Sequence, residues 1–174
     1  MAESGTEEPN AGGGPPAGVS RQVWDARFME LARAIAGWSK DRSRKVGCVI
    51  VGPNNEIRST GYNGFPRRVD DRPAERHRRP EKYLWTEHAE RNAIYNAAYT
   101  GISVAGCRIY IPWYPCVDCA RAIVQAGIAE LMAIEPDWHD VHWGEGFRVA
   151  RQMFDEAGVT VRFVDGPAPD AVPL

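Results

Sequence analysis

The sequence predicts an α/β fold, a mixed sheet covered by helices on both faces. Strand-like and helix-like apolar patterns alternate along the chain in the order α-β-β-α-β-α-β-α-β. The glycines at 101, 127 and 158 fall where three of the helical periodicities stop. A length of 174 residues suits a single domain with its own core.

Residues 1–19 are rich in Gly, Pro and acid and bury too little apolar surface to offset ordering, so they are expected to be a disordered tail. Residues 166–174 have a similar composition and are expected to be flexible, which leaves 20–165 as the folded domain. Trp24, Phe28, Leu31, Ile35 and Trp38 recur at helical spacing and give a first helix one apolar stripe. The runs "VGCVIV" (46–51) and "EIRSTGY" (56–62), separated by "GPNN", predict a hairpin. A long polar loop follows. Thr86 is then an expected N-cap for a second helix, with Ala89, Ala93, Ile94 and Ala97 as its packing face and Gly101 as its stop. "CRIYI" (107–111) reads as a strand leading into Pro115, which suits the first turn of a helix carrying Ala120, Ile123 and Val124. "ELMAI" (130–134) is a short buried strand. Phe147, Ala150, Met153, Phe154 and Ala157 mark the last helix, and "VTVRFV" (159–164) closes as a strand.

The net charge is −2, so electrostatics give no broad affinity for nucleic acid or an anionic membrane. No window has the ~18 apolar residues of a membrane span, and the N-terminus lacks signal-peptide order, so a cytoplasmic protein is expected. Four cysteines do not make a disulfide framework. Cys48 and Cys107 lie in apolar runs and read as small buried hydrophobes.

Cys116 and Cys119 form a Cys-x-x-Cys pair at a helix start, where i and i+3 sulfurs project to one side and the helix dipole favours thiolates. Such a pair alone reads equally as redox or as metal chemistry. "HAE" at 88–90 opens the preceding helix. His88 with the two cysteines gives the three-ligand count of a catalytic zinc that keeps a fourth position open. Positions i and i+2 inside a regular helix diverge by ~200°, so His88 and Glu90 must straddle the helix mouth to share one pocket. From there Glu90 could act as the general acid/base on an activated water. A lone His-x-Glu is weak, being most often a solvated helix end. The two motifs together, with one strand between them, are much stronger.

"HAERNAI" (88–94) and "PCVDC" (115–119) carry the zinc deaminase signature. On these motifs the sequence resembles the cytidine and deoxycytidylate deaminase superfamily. "WSKDRSRKVGCVIV", "GYNGFP" (61–66), "ARAIVQAGI" and "DWHD" (137–140) are similar to its deoxycytidylate (dCMP) branch. The resemblance, over residues 24–164, implies a three-layer α/β/α sandwich around a central mixed sheet of about five strands. It implies hydrolysis of dCMP to dUMP and ammonia, with Zn2+ held by His88, Cys116 and Cys119 and with Glu90 moving the proton. Asn63 would contact the sugar and the backbone around Ala89 and Pro115 the base edge, with Tyr114 and Trp138 at aromatic positions near the base. The alternative for both aromatics is core packing. Resemblance further implies a homo-oligomer, a hexamer in many members, with dCTP and dTTP effectors near "GYNG".

The loop from Arg67 to Pro80 departs from the pattern. It has arginines but no cysteines, so a second, structural zinc has only His77 as a candidate ligand. Its arginines suit phosphate oxygens, and a solvated, partly ion-paired loop is the alternative. Besides a deaminase of another free nucleotide or nucleoside, two other function classes compete: a deaminase acting on a base of single-stranded RNA or DNA, and a non-enzymatic zinc or redox module. The first calls for a basic groove with aromatic platforms, and the second makes Glu90 superfluous.

Overall fold

The computed structural model describes residues 19–164. The tails expected at 1–19 and 166–174 thus lie outside the described residues, Val19 excepted. The Ser20 hydroxyl accepts the Val23 N–H and caps α1 (Arg21–Ala36), which turns Phe28, Ala32 and Ile35 inward. The antiparallel hairpin of β1 (Gly47–Val51) and β2 (Ile57–Tyr62) follows. A 3₁₀ turn (Ala74–His77) and the short α2 (Lys82–Trp85) then lead to α3 (Ala89–Thr100). The remainder alternates as β3 (Arg108–Ile111), α4 (Val117–Gln125), β4 (Glu130–Ala133), α5 (Gly144–Ala157) and β5 (Thr160–Phe163).

The five strands form one sheet in the order β2-β1-β3-β4-β5. β1 pairs antiparallel with both β2 and β3, whereas β3, β4 and β5 run parallel. Strand periodicity sorts the core into two layers. Val49, Val51, Tyr110 and Met132 face α1, while Cys48, Ile50, Ile109, Ile111, Leu131 and Ala133 face the layer of α3, α4 and α5. β1 and β3 are buried along their whole length, as strands covered on both sides must be. The expected three-layer sandwich with five strands is therefore the observed fold, and Cys48 and Cys107 are buried in its core.

α3 lies almost in backbone contact with the edge strand. A Cβ on Gly61 would stand 2.4 Å from both the Ala89 carbonyl oxygen and the Ala93 nitrogen. The Ser59 hydroxyl donates to the Ala93 carbonyl at 2.7 Å, and the side-chain amides of Asn92 and Asn96 donate to the Tyr62 and Thr60 carbonyls at 2.8 and 2.7 Å. These bonds satisfy the edge of β2 and fix the start of α3. Gly101 and Gly158, both at positive φ, end α3 and α5 as expected.

Three local expectations are corrected. Trp38 is not on the stripe of the first helix: the chain tightens into i→i+3 bonds from Gly37 onward, and the ring ends 64% exposed, edge-on to Tyr62. Thr86 does not cap α3. It terminates α2, a turn hidden in the polar loop, and His88 holds the N-cap position. Pro115 lies before α4 rather than in its first turn, because Cys116 keeps ψ at 171° and delays the helix to Val117.

Gly61→Ala is expected to destabilise the protein by about 1–3 kcal/mol through this overpacking. Gly64→Ala, where the nearest atoms are ring carbons of Tyr62 at 3.6 Å or more, should leave the urea midpoint close to the parent's. Equal midpoints for the two variants would refute the tight approach of α3.

Candidate metal centre and the cavity around it

The helix starts of α3 and α4 lie side by side and their cap residues bring three donors together. His88 leaves the chain in an extended conformation (φ −79°, ψ 156°), and so does Cys116 (φ −72°, ψ 171°). His88 Nδ1 stands 3.5 Å from Cys116 Sγ and 3.4 Å from Cys119 Sγ, and all three atoms lie within 4.8 Å of one another. Tetrahedral zinc with ordinary Zn–S and Zn–N bonds calls for N···S separations of roughly 3.6 Å. The donor set therefore fits that ion in both chemistry and spacing. Among the described residues these are the only three His, Cys, Asp or Glu donors that converge in this way.

Electrostatics agree with ligation. The Cys116 thiol is lowered to about 4, first by its hydrogen bond with Cys119 and then by His88, against the opposing effect of burial. Cys119 is pushed up by the hydrogen bond to Cys116 and by burial. His88 is raised to about 9, chiefly by its hydrogen bond to Cys116. Binding an ion here would displace the protons these donors carry, so metal affinity would rise with pH. Arg91, paired with Glu87 at 2.5 Å and 3.9 Å from Asp118, ties the two helix starts together.

Glu90 is 3% exposed and lies in the first turn of α3. Burial raises its carboxyl above the ordinary range, against the pull of His88. Glu90, His88 and Cys116 all line one cavity of about 240 Å³, while Glu90 stays outside the converging donor set. A buried carboxylate beside a three-donor centre can take and return a proton without occupying the metal.

The other predicted residues are placed as follows. Asn63 and Ala89 line this cavity. The Asn63 side chain also staples the hairpin: Oδ1 accepts the Val46 N–H at 2.8 Å, and Nδ2 donates to the Arg44 carbonyl at 2.9 Å and to Asp41 at 3.3 Å. Tyr114 lines the cavity but is only 1% exposed and packs edge-on against Trp138, Phe147 and Phe154. Trp138 stands behind Tyr114 and against Phe163, outside the cavity lining, and Pro115 is buried beside Cys116. His77 Nε2 is 2.6 Å from the Asp71 carbonyl and its ring rests on Phe65. Of the Arg-rich loop, only Arg79 reaches the cavity; Arg72 pairs with Asp70, and Arg76 covers Trp85.

Sequence reasoning missed the cavity's charged frame. Lys82 Nζ lies 3.0 and 2.8 Å from the two Asp41 oxygens, with side chains 9% and 8% exposed. Burial works to raise Asp41, but hydrogen bonds from Lys82 and Ser43 outweigh it and hold the carboxyl below its ordinary value. Trp113 and Arg44 complete the wall. The polar "SKD" following the first helix was the available signal, and nothing in its spacing points to Lys82.

Residues 22–135 match the family of the cytidine and deoxycytidylate deaminase zinc-binding region. The chain is 40% identical over 142 residues to an uncharacterised deaminase of the luxG 3′ region of Aliivibrio fischeri, covering 81% of this chain and 93% of that one. It is 38% identical over 144 residues to human deoxycytidylate deaminase, covering 80% and 78%. The fold superposes on the dCMP deaminase of cyanophage S-TIM5, whose structure was solved with dCMP and dUMP, at a TM-score of 0.66 and 25% identity over 84% of this chain and 99% of that one. With the donor geometry and these likenesses in agreement, the chain belongs to the cytidine and deoxycytidylate deaminase family.

Proposed function

We propose that this protein deaminates dCMP to dUMP and ammonia with zinc held by His88, Cys116 and Cys119. The observation that carries the reading is a buried carboxyl, Glu90, opening into the cavity that His88 and Cys116 also line, where these two converge with Cys119 at a spacing suited to zinc. That relatives named deoxycytidylate deaminases share most of the chain supports dCMP as the substrate. Zinc, when bound, supplies a Lewis acid that activates water at neutral pH.

The chain's residues do the rest. Glu90 accepts a proton from the water attacking C4 and delivers it to N3 of the base. The C4–N bond then breaks, and Glu90 passes the second proton to the departing ammonia, so that water and dCMP balance dUMP and ammonia. The wall at Ala89 and Tyr114 encloses the base and excludes bulk water, and Pro115 fixes the chain at Cys116. Asn63 is assigned to the sugar. Trp138 braces Tyr114 from outside the cavity.

A second cavity, of about 540 Å³, adjoins the first across Asp41, Lys82 and Thr86 and is lined by Gly64, Arg67, Arg68 and His77. Its position beside "GYNG" and its basic side chains support dCTP and dTTP as effectors, acting on an oligomer of six chains. A cytoplasmic location belongs to the same reading. No helix among the described residues is long and apolar enough to cross a membrane.

Purified protein loaded with zinc is expected to release ammonia from dCMP. Glu90→Gln should keep its metal content while losing roughly 10²–10⁴-fold in kcat; parent-like turnover in that variant would remove Glu90 from the proton path. His88→Ala and Cys116→Ser are expected to lose the bound zinc itself, read by metal analysis after dialysis rather than by activity. Full retention of one zinc per chain in both would mean that the ion sits elsewhere.

A further inference from the structure

The segment that follows α1, residues 39–44, closes around one side chain, that of Asn63. The Ser39 hydroxyl donates to the Asn63 carbonyl at 2.7 Å and accepts the Asp41 N–H at 3.1 Å. The side-chain amide of Asn63 donates to the Arg44 carbonyl at 2.9 Å and to Asp41 Oδ2 at 3.3 Å, and its oxygen accepts the Val46 N–H at 2.8 Å. A backbone N–H can only donate, and a carbonyl or carboxylate can only accept, so these partners allow one assignment of the two ends of the amide. Both N–H donors of Asn63 are then spent. Among the described residues, a second lone pair on Oδ1 is the hydrogen-bonding capacity that the side chain keeps. Asp41 sets this outcome twice. Its Oδ2 takes one amide N–H directly, and its Oδ1 accepts the Ser43 and Arg44 N–H groups at 2.8 and 3.2 Å, shaping the turn whose Arg44 carbonyl takes the other. Burial works to raise the Asp41 carboxyl, but Lys82 and then Ser43 hold it below its ordinary value, so it stays an acceptor.

We infer that Asp41, braced by Lys82, is a positioning residue that makes Asn63 an acceptor-only group in the catalytic cavity. All three residues line that cavity, and Lys82 holds both Asp41 oxygens, at 3.0 and 2.8 Å. The inference rests on the deaminase reading, which assigns Asn63 to the sugar, and adds what fixes the polarity of that contact. A 2′-deoxyribose 5′-monophosphate keeps one free hydroxyl, at C3′, and a hydroxyl can donate. A group at C3′ that only accepts finds no partner in Asn63.

The double variant Asp41→Asn with Lys82→Met tests it. The new amide keeps an oxygen for the Ser43 and Arg44 N–H groups but sets an NH2 group against that of Asn63, and the lysine charge leaves together with its partner, so no ammonium is stranded. Calorimetry on the zinc-loaded protein compares dUMP with 2′,3′-dideoxyuridine 5′-monophosphate and with its 3′-fluoro derivative, and urea midpoints are read alongside. The parent is expected to bind dUMP roughly tenfold more tightly than either analogue. In the double variant that preference should shrink to about threefold or less, while binding of the dideoxy compound changes by less than about twofold. The kcat/KM for dCMP should fall by a similar factor, through KM rather than kcat. Equal weakening of all three ligands, or an undiminished preference for dUMP, would reduce the pair to a structural brace and overturn its positioning role. Should the double variant not fold, the parent alone still decides the polarity: a 3′-fluoro compound bound as tightly as dUMP overturns the acceptor-only amide. A parent that prefers dUMP yet releases no ammonia from dCMP would sink the deaminase reading and leave the positioning supported, whereas a parent that binds none of the three overturns both.

Discussion

The metal centre depends on two residues staying extended where a helix could already have begun. His88 and Cys116 are N-caps by position, yet neither side chain accepts a helix N–H. Each helix forgoes about 1 kcal/mol that a Ser or Asp cap would contribute. In return the His88 ring and the Cys116 sulfur turn towards each other across the gap between the helices. Glu90, two residues on, is already helical, so the change of backbone conformation between them undoes the divergence that a continuous helix would impose. A local rule of helix formation is broken at both sites, which is where function most often overrides propensity.

The second constraint is the buried Asp41–Lys82 pair. Removing both charges from water costs several kcal/mol per ion and is offset only when the remaining valences are satisfied. Here they are. Asp41 Oδ1 accepts the Ser43 N–H and hydroxyl and the Arg44 N–H, Lys82 also reaches the Ser43 hydroxyl, and Asn63 donates to the other carboxylate oxygen. The pair joins the segment after α1 to α2, two stretches more than forty residues apart, and the joint forms the common wall of the two cavities. A carboxylate lost from this position would strand a buried ammonium beside the site.

Most of the fold was legible because its signals are local. Alternating runs such as "CRIYI" and helical stripes such as Phe147, Ala150 and Phe154 declare which face is buried before any partner is known. The donor set was equally legible, since ligand type and spacing are themselves the chemistry. The frame of the cavity was not. Lys82 lies in a polar stretch without periodicity, and its partner Asp41 is set by tertiary packing of a loop on a one-turn helix. Arg44 and Trp113 meet from two segments far apart in sequence, the stretch before β1 and the residues just after β3. The Thr86 cap failed for a similar reason: a good capping residue marks a helix end, but it stopped α2 rather than starting α3.

Tyr114 shows why the choice between core and site was poorly posed. Its ring is buried to 1% and held by Trp138 at 5.3 Å and Phe147 at 5.6 Å, while one edge borders the cavity. Burial pushes its phenol up to about 12, and the hydroxyl has no hydrogen-bond partner. The side chain therefore stays neutral and offers shape rather than charge. Because Tyr114 is two residues before Cys116, the packing that immobilises the ring also sets where α4 begins, and with it the position of both sulfurs. Trp138 contributes to the same end from one layer further back. The apolar cluster is thus part of the metal site's support, and a cavity that enlarged it by truncating either ring would loosen the donors before it touched any substrate.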